Sequence, residues 1–214
     1  MKQLTVQESV AYKSLGFKTY KDALHAWGLG KLARLKSSRR TSTGRLGEDI
    51  YERMDIQNRL YGVRTPFNAG LPDFIYELTN DAKEVLNSNY PIGLEVKGRP
   101  AVNKPYPLTS SHVKGSKNKH GRIVGGISPK FSRHEKNWGL RLCTFIGNMP
   151  SGIEPEAGAE LERNQIHLLP PQEVIELLKW LQYRTPNPAK EAEWLRLIRP
   201  NRPNCMATIA VPAT

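Results

Sequence analysis

The chain has 214 residues, with 32 Lys plus Arg against 20 Asp plus Glu, a net charge of +12, two cysteines and 38% hydrophobic residues. That length suits one domain, with or without a small appendage, and can bury a sizeable core. No apolar run approaches the ~18 residues that cross a bilayer, no signal-peptide pattern opens the chain, and Cys143 and Cys205 are too few for a disulfide framework or zinc cluster. Membrane-spanning and secreted readings are therefore set aside, and an intracellular chain is expected.

Residues 5–36 read as helical, with Leu24, Trp27, Leu32 and Leu35 as apolar positions, and Gly28 and Gly30 favour two short helices over one long one. Gly28-Leu29-Gly30-Lys31 lacks the earlier Gly and the following Ser/Thr of a P-loop, so no ATP-driven step is implied. Ser37 to Gly44 (SSRRTSTG) reads as a polar, basic connector. A helix follows over about 46–61, with Leu46, Ile50, Met54 and Tyr61 near one stripe. Asp73–Leu78, Ile92–Val96 and Arg141–Gly147 read as short strands bounded by turn residues. The Lys-, Ser- and Gly-rich stretch 97–137 shows weak periodicity, consistent with a short helix near Leu108–Lys114 among mobile loops. Pro150–Glu156 is turn-rich, Ile166–Leu169 is a short apolar run, and helices are expected over about 171–183 and 189–198. The order is mixed α/β. It divides into a basic helical N-terminal region (1–43), a core (44–150) and a C-terminal helical extension (151–214) packed on that core.

The charge is unevenly placed. Residues 1–40 carry nine basic and two acidic side chains, 45–96 carry five and nine, 97–141 carry eleven and one, and 142–214 carry seven and eight. Two basic segments thus flank an acidic island. Clustered Lys and Arg suit a polyanion through counterion release and long-range steering. Carboxylates beside bound phosphate repel it unless a cation lies between them, which gives the acidic island a reason to exist.

Within 44–99, Gly47-Glu48 opens a helix, Pro72-Asp73 opens a strand, and Glu95-Val96-Lys97 closes one. Strand alternation puts Glu95 and Lys97 on one face, and Asp73 on a neighbouring strand can bring its carboxylate beside Glu95. Two hard oxygen ligands at a strand end suit Mg²⁺, and an ammonium two positions away can contact a metal-activated water and stabilise charge on phosphate. Plainer roles exist for each residue. Asp73 after Pro can cap a turn, Glu95 and Lys97 can form an edge-strand ion pair, and Glu48 can serve the helix dipole, with Glu52 on the same side as its substitute. Against the second of these, apolar Ile92, Leu94 and Val96 suggest a strand inside the sheet, where an unexplained carboxylate is costly. Glu77 is strand-borne but has no Lys two residues on. His112, His120 and His134 lie in the basic linker without zinc-ligand spacing to a cysteine.

Pro72-Asp73, 21 residues, then Glu95-Val96-Lys97 resembles the signature of the PD-(D/E)XK nuclease superfamily, and GRLGEDIYERM with GLEVKGR looks like the helix and strand elements of its Holliday-junction-resolvase-like members. The resemblance covers residues 44–99 and implies a restriction-endonuclease-like core, a mixed central sheet flanked by helices. It implies Asp73 and Glu95 as metal ligands, the Val96 carbonyl as a further one, Lys97 as the catalytic lysine and Glu48 as the acidic residue of the first core helix. The expected activity is Mg²⁺-dependent cleavage of double-stranded DNA, with Mn²⁺ able to substitute. A type II restriction endonuclease acting as a cytoplasmic homodimer, of a prokaryotic cell or phage-encoded, fits best. A homing endonuclease or junction resolvase of the same fold is the alternative, and a non-catalytic DNA-binding relic is the alternative of another class. Lys31, Arg34, Lys36, Arg39, Arg40, Arg99, Lys104, Lys114, Lys117 and Lys119 are the candidate DNA contacts.

Overall fold

The computed structural model describes residues 39–65, 70–98, 106–121, 123–132, 137–147 and 149–199, the side chains of 39–45 and Val124 excepted. The elements are α1 (Arg39–Gln57), β1 (Val63–Arg64), β2 (Phe74–Tyr76), α2 (Asn80–Leu86), β3 (Ile92–Gly98), β4 (Pro107–Leu108), α3 (Ser110–Lys114), β5 (Ser116–Lys117), β6 (Ile123–Val124), α4 (Ser128–Ser132), β7 (Leu140–Ile146), β8 (Gly152–Ile153), α5 (Pro155–Arg163), β9 (Ile166–Leu168), α6 (Pro171–Tyr183) and α7 (Pro188–Ile198). The expected helices over 5–36, Cys205 and His134 lie outside the described residues, as do Lys31, Arg34, Lys36, Arg99 and Lys104.

The chain folds as α/β around a mixed five-stranded sheet of order β1-β2-β3-β7-β9. β1, β2 and β3 pair antiparallel, whereas β7 runs parallel to β3 and β9 parallel to β7. Parallel pairs need long crossovers. The β3–β7 crossover carries α3, α4 and two small two-stranded sheets, and α5 lies in the β7–β9 crossover.

Alternation sorts side chains onto two faces. Ile92, Leu94 and Val96 of β3 and Leu140, Leu142 and Ile146 of β7 join a core with Ile50 and Tyr51 of α1, Val174, Leu178 and Leu181 of α6, and Trp194 of α7. On the other face Cys143 and Phe145 meet Leu108, Val113, Ile127, Phe131, Trp138 and Leu161. Gly93 lies on this second face because a Cβ there would sit 2.8 Å from the Trp138 ring and 2.9 Å from Phe131. Among the described residues no helix is long and apolar enough to cross a membrane.

Several expectations are corrected. The supposed connector at 39–44 is the first part of α1, and α1 ends at Gln57, so Tyr61 falls in a loop with its side chain exposed. The fully buried aromatic of that helix is Tyr51. The linker region is more ordered than its composition suggested, with α3, α4 and the β5–β6 pair. The turn-rich segment leads into α5, whose Pro155 stands at the helix start, where proline's missing N–H costs nothing. Residues beyond 150 do more than pack on the core, because β9 is the sheet's outer strand.

The α1–β1 loop fixes where the strands begin. Arg59 (φ 58°) and Tyr61 (φ 56°) take left-handed backbone conformations there. Buried Asp55 holds the loop, accepting from the Gly62 amide (2.9 Å) and from the Tyr76 hydroxyl (2.5 Å), which itself lies 3.2 Å from the Tyr51 hydroxyl. Asp55→Ala leaves both donors without their acceptor and is expected to lower unfolding free energy by about 2 kcal/mol, read by urea denaturation. An unchanged denaturation midpoint would show that the loop does not depend on this carboxylate.

Candidate active site at the end of the third strand

The register that pairs Phe74 with Leu94 places Asp73, one step further, opposite Glu95. β2 ends there. Thr65 takes up the backbone at this point, its amide donating to the Asp73 carbonyl (2.9 Å) and its hydroxyl to the Pro72 carbonyl (2.8 Å). The Val96 amide is bound by the Asp73 carboxylate instead, at 2.8 Å from Oδ2. This bond turns the Asp73 side chain across the strand end to Glu95.

Glu95 is 1% exposed. Its Oε1 accepts from Lys97 Nζ, and its Oε2 has no hydrogen-bond partner. A second ammonium, Lys130 of α4, lies 3.8 Å from Asp73 Oδ1 and 3.9 Å from Glu95 Oε2. Val96 contributes its amide to the cluster while its side chain is buried in the helical core. α1 reaches the same strand end because Gly47 has no side chain: a Cβ would lie 2.5 Å from Gly98 Cα.

Two carboxylates this close are electrostatically strained. Burial, then the Glu95 charge, pushes the Asp73 carboxyl up to about 7, with Lys97, Lys130 and the Val96 amide only partly offsetting the rise. Burial works against the Lys97 charge, but Glu95 and Asp73 more than offset it, and the ammonium is held protonated. Glu48 is raised by burial and then by the charge on Asp73, so its carboxylate faces the same cluster. Arg64 of β1 holds it there: Nη2 is 2.8 Å from Glu48 Oε2, and Nη1 lies 2.7 Å from Asp49 and 2.9 Å from Glu52.

The structure thus brings together Asp73, Glu95, Val96 and Lys97, with Glu48 alongside. Glu52, the candidate substitute, ends on Arg64, and Glu77 is exposed, its carbonyl accepting from Gln182. Lys114, Lys117 and Lys119 are exposed on the crossover segment between β3 and β7. Arg39 and Arg40 lie in α1. His112 accepts from the Thr109 amide at the start of α3 (3.1 Å), and His120 is exposed. Sequence reasoning missed Lys130 and Arg64. Lys130 is one cation in a basic tract with no motif around it. Arg64 follows four acidic residues of the first core helix, but Arg53 and Arg59 stand nearer to them in sequence, so its pairing had no distinct local signal.

Among the described residues no three His, Cys, Asp or Glu side chains are grouped closely enough to cage a metal ion. The donor set still fits Mg²⁺, which usually takes one or two protein carboxylates and completes its shell with waters and substrate phosphate. The unpartnered Glu95 Oε2 and the raised Asp73 carboxyl both mark carboxylates whose burial is incompletely compensated. A groove of about 690 Å³ opens elsewhere, along the starts of β7 and β9 between Leu140, Leu161, Ile166 and Ile198, and shares no residue with the cluster. No family model, curated protein or solved structure matches the chain.

Asp73 gives a signed pH effect. Its folded value of about 7 stands above its ordinary 3.8, so the stability it contributes is present at low pH and lost as pH rises from about 4 through 7. Asp73→Asn stays uncharged and can still accept from Val96. In chelator, this variant should match the wild type near pH 4 and exceed it at pH 8 by up to about 4 kcal/mol in urea unfolding. A pH-independent difference would contradict the crowded-carboxylate geometry.

Proposed function

We propose that the chain is a Mg²⁺-dependent endodeoxyribonuclease of the PD-(D/E)XK type, hydrolysing phosphodiester bonds in double-stranded DNA. The observation carrying this reading is the meeting of Asp73 and Glu95 at one strand end, with Lys97 bound to Glu95. When bound by Asp73 and Glu95, with the Val96 carbonyl in the donor set the resemblance implies, the metal supplies Lewis acidity toward phosphate and a more acidic water. Lys97, already protonated, stabilises negative charge on the phosphate and orients the attacking water, and in that state it is not a general base. Glu48 adds a third carboxylate at the edge of the site, oriented by Arg64.

The basic side chains fit a duplex backbone. Lys114, Lys117 and Lys119 stand exposed on the segment that follows β3, and Lys31, Arg34, Lys36, Arg39, Arg40, Arg99 and Lys104 complete the proposed clamp. Among nucleases of this kind we favour a type II restriction-like enzyme acting as a homodimer, since two antiparallel strands need two sites.

Incubation of the full chain with plasmid DNA and Mg²⁺ should give discrete fragments. Asp73→Ala and Lys97→Ala should each slow cutting by roughly 10²–10³-fold while DNA binding persists. Cutting confined to four-way junctions would reassign the enzyme as a resolvase, and tight, salt-dependent DNA binding indifferent to Mg²⁺ would make it a non-catalytic binder. Variants that cut as well as the wild type would overturn the site.

A further inference from the structure

Lys130 reaches the carboxylates from outside the motif. Its helix, α4, is only five residues long but firmly seated: Ile127, Ser128 and Phe131 are buried. The Ile127 amide donates to the Val113 carbonyl (2.9 Å), and Trp138 Nε1 donates to the Phe131 carbonyl (3.0 Å). The backbone at residue 130 is therefore fixed while its side chain is half-buried over Asp73 and Glu95.

The two lysines of the site are held differently. Lys97 is hydrogen-bonded to Glu95 Oε1. Lys130 Nζ sits almost equally far from Asp73 Oδ1 (3.8 Å) and Glu95 Oε2 (3.9 Å), beyond hydrogen-bond reach of either and within strong Coulomb range of both. Glu95 Oε2 keeps no hydrogen-bond partner despite that ammonium. A cation so placed neutralises the pair without being bound to it, and a lysine stem has enough rotatable bonds to withdraw its head with the backbone still.

We propose that Lys130 is a displaceable counter-cation: in the metal-free protein its ammonium stands in for the divalent ion between Asp73 and Glu95, and metal binding drives it out. The inference rests on the metal-dependent nuclease reading above. A Mg²⁺ or Mn²⁺ bonded to both carboxylates at about 2.1 Å would claim the same oxygens that the ammonium faces, and two cations cannot share that space without repulsion. Lys130 then lowers metal affinity, and the metal must overcome its attraction for the pair.

Isothermal titration of the full-length chain with Mn²⁺ at pH 8, without DNA, tests this. Lys130→Met and Lys130→Gln should bind Mn²⁺ about tenfold more tightly than the wild type, and charge-preserving Lys130→Arg should stay within about twofold of it. Circular dichroism identifies any variant that fails to fold, and the other neutral variant then carries the comparison. Mn²⁺ affinity unchanged or weakened in the folded neutral variants would overturn the counter-cation role while leaving the metal site standing. Failure of the wild type and of both folded neutral variants to bind Mn²⁺ would remove the nuclease reading and this inference with it.

Discussion

The bond from the Val96 amide to the Asp73 carboxylate determines what the sheet end can do. It forms because β2 begins only at Phe74, opposite Leu94, while β3 runs on to Gly98, leaving a backbone donor past the last paired residue. Proline at 72 offers no amide to continue the ladder, and its carbonyl is occupied by Thr65. The side chain of the next residue supplies the acceptor instead. Satisfying a backbone group therefore places a carboxylate beside Glu95, two charges that would otherwise separate.

The rest of the site follows from accommodating that placement. Glu95 lies on the face where Gly93 lets Phe131 and Trp138 approach, and α4, which carries Phe131, brings Lys130 over the carboxylates. Lys97 comes from two residues along the same strand face. Glu48 arrives because Gly47 allows α1 to touch Gly98, and Arg64, on the strand next to Asp73, forms ion pairs with three helix carboxylates. The acidic island is thus divided into two parts, one closed by an arginine and one that two lysines leave with an unpartnered oxygen. Only the second holds a buried carboxylate oxygen that a cation could still claim.

Motif residues were legible because local alternation decides them: Glu95 and Lys97 share a face by strand geometry, and Asp73 begins the preceding strand of an antiparallel pair. The sheet core was legible in Ile92, Leu94 and Val96 and in the apolar run of β7. What escaped was either short or long-range. α2 and α4 have seven and five residues, too few for helical periodicity to show. Helix α2 is set instead by Thr79 accepting from Ala82 (3.2 Å) and by Gln182, a hundred residues away, bridging Thr79 and Glu77. The role of β9 depends on its parallel pairing with β7, which nothing in Ile166–Leu168 announces. Lys130 was invisible for the same reason: its position depends on the packing of Phe131, and one lysine in a basic tract carries no local mark.

The central claim is that Asp73 and Glu95 share a divalent cation, and anomalous scattering from a crystal soaked in Mn²⁺ tests it most directly. The account predicts a manganese peak within bonding distance, about 2.1 Å, of one carboxylate oxygen from each residue. A peak among Glu48, Asp49 and Glu52 instead, or none near Glu95 at saturating Mn²⁺, would contradict it.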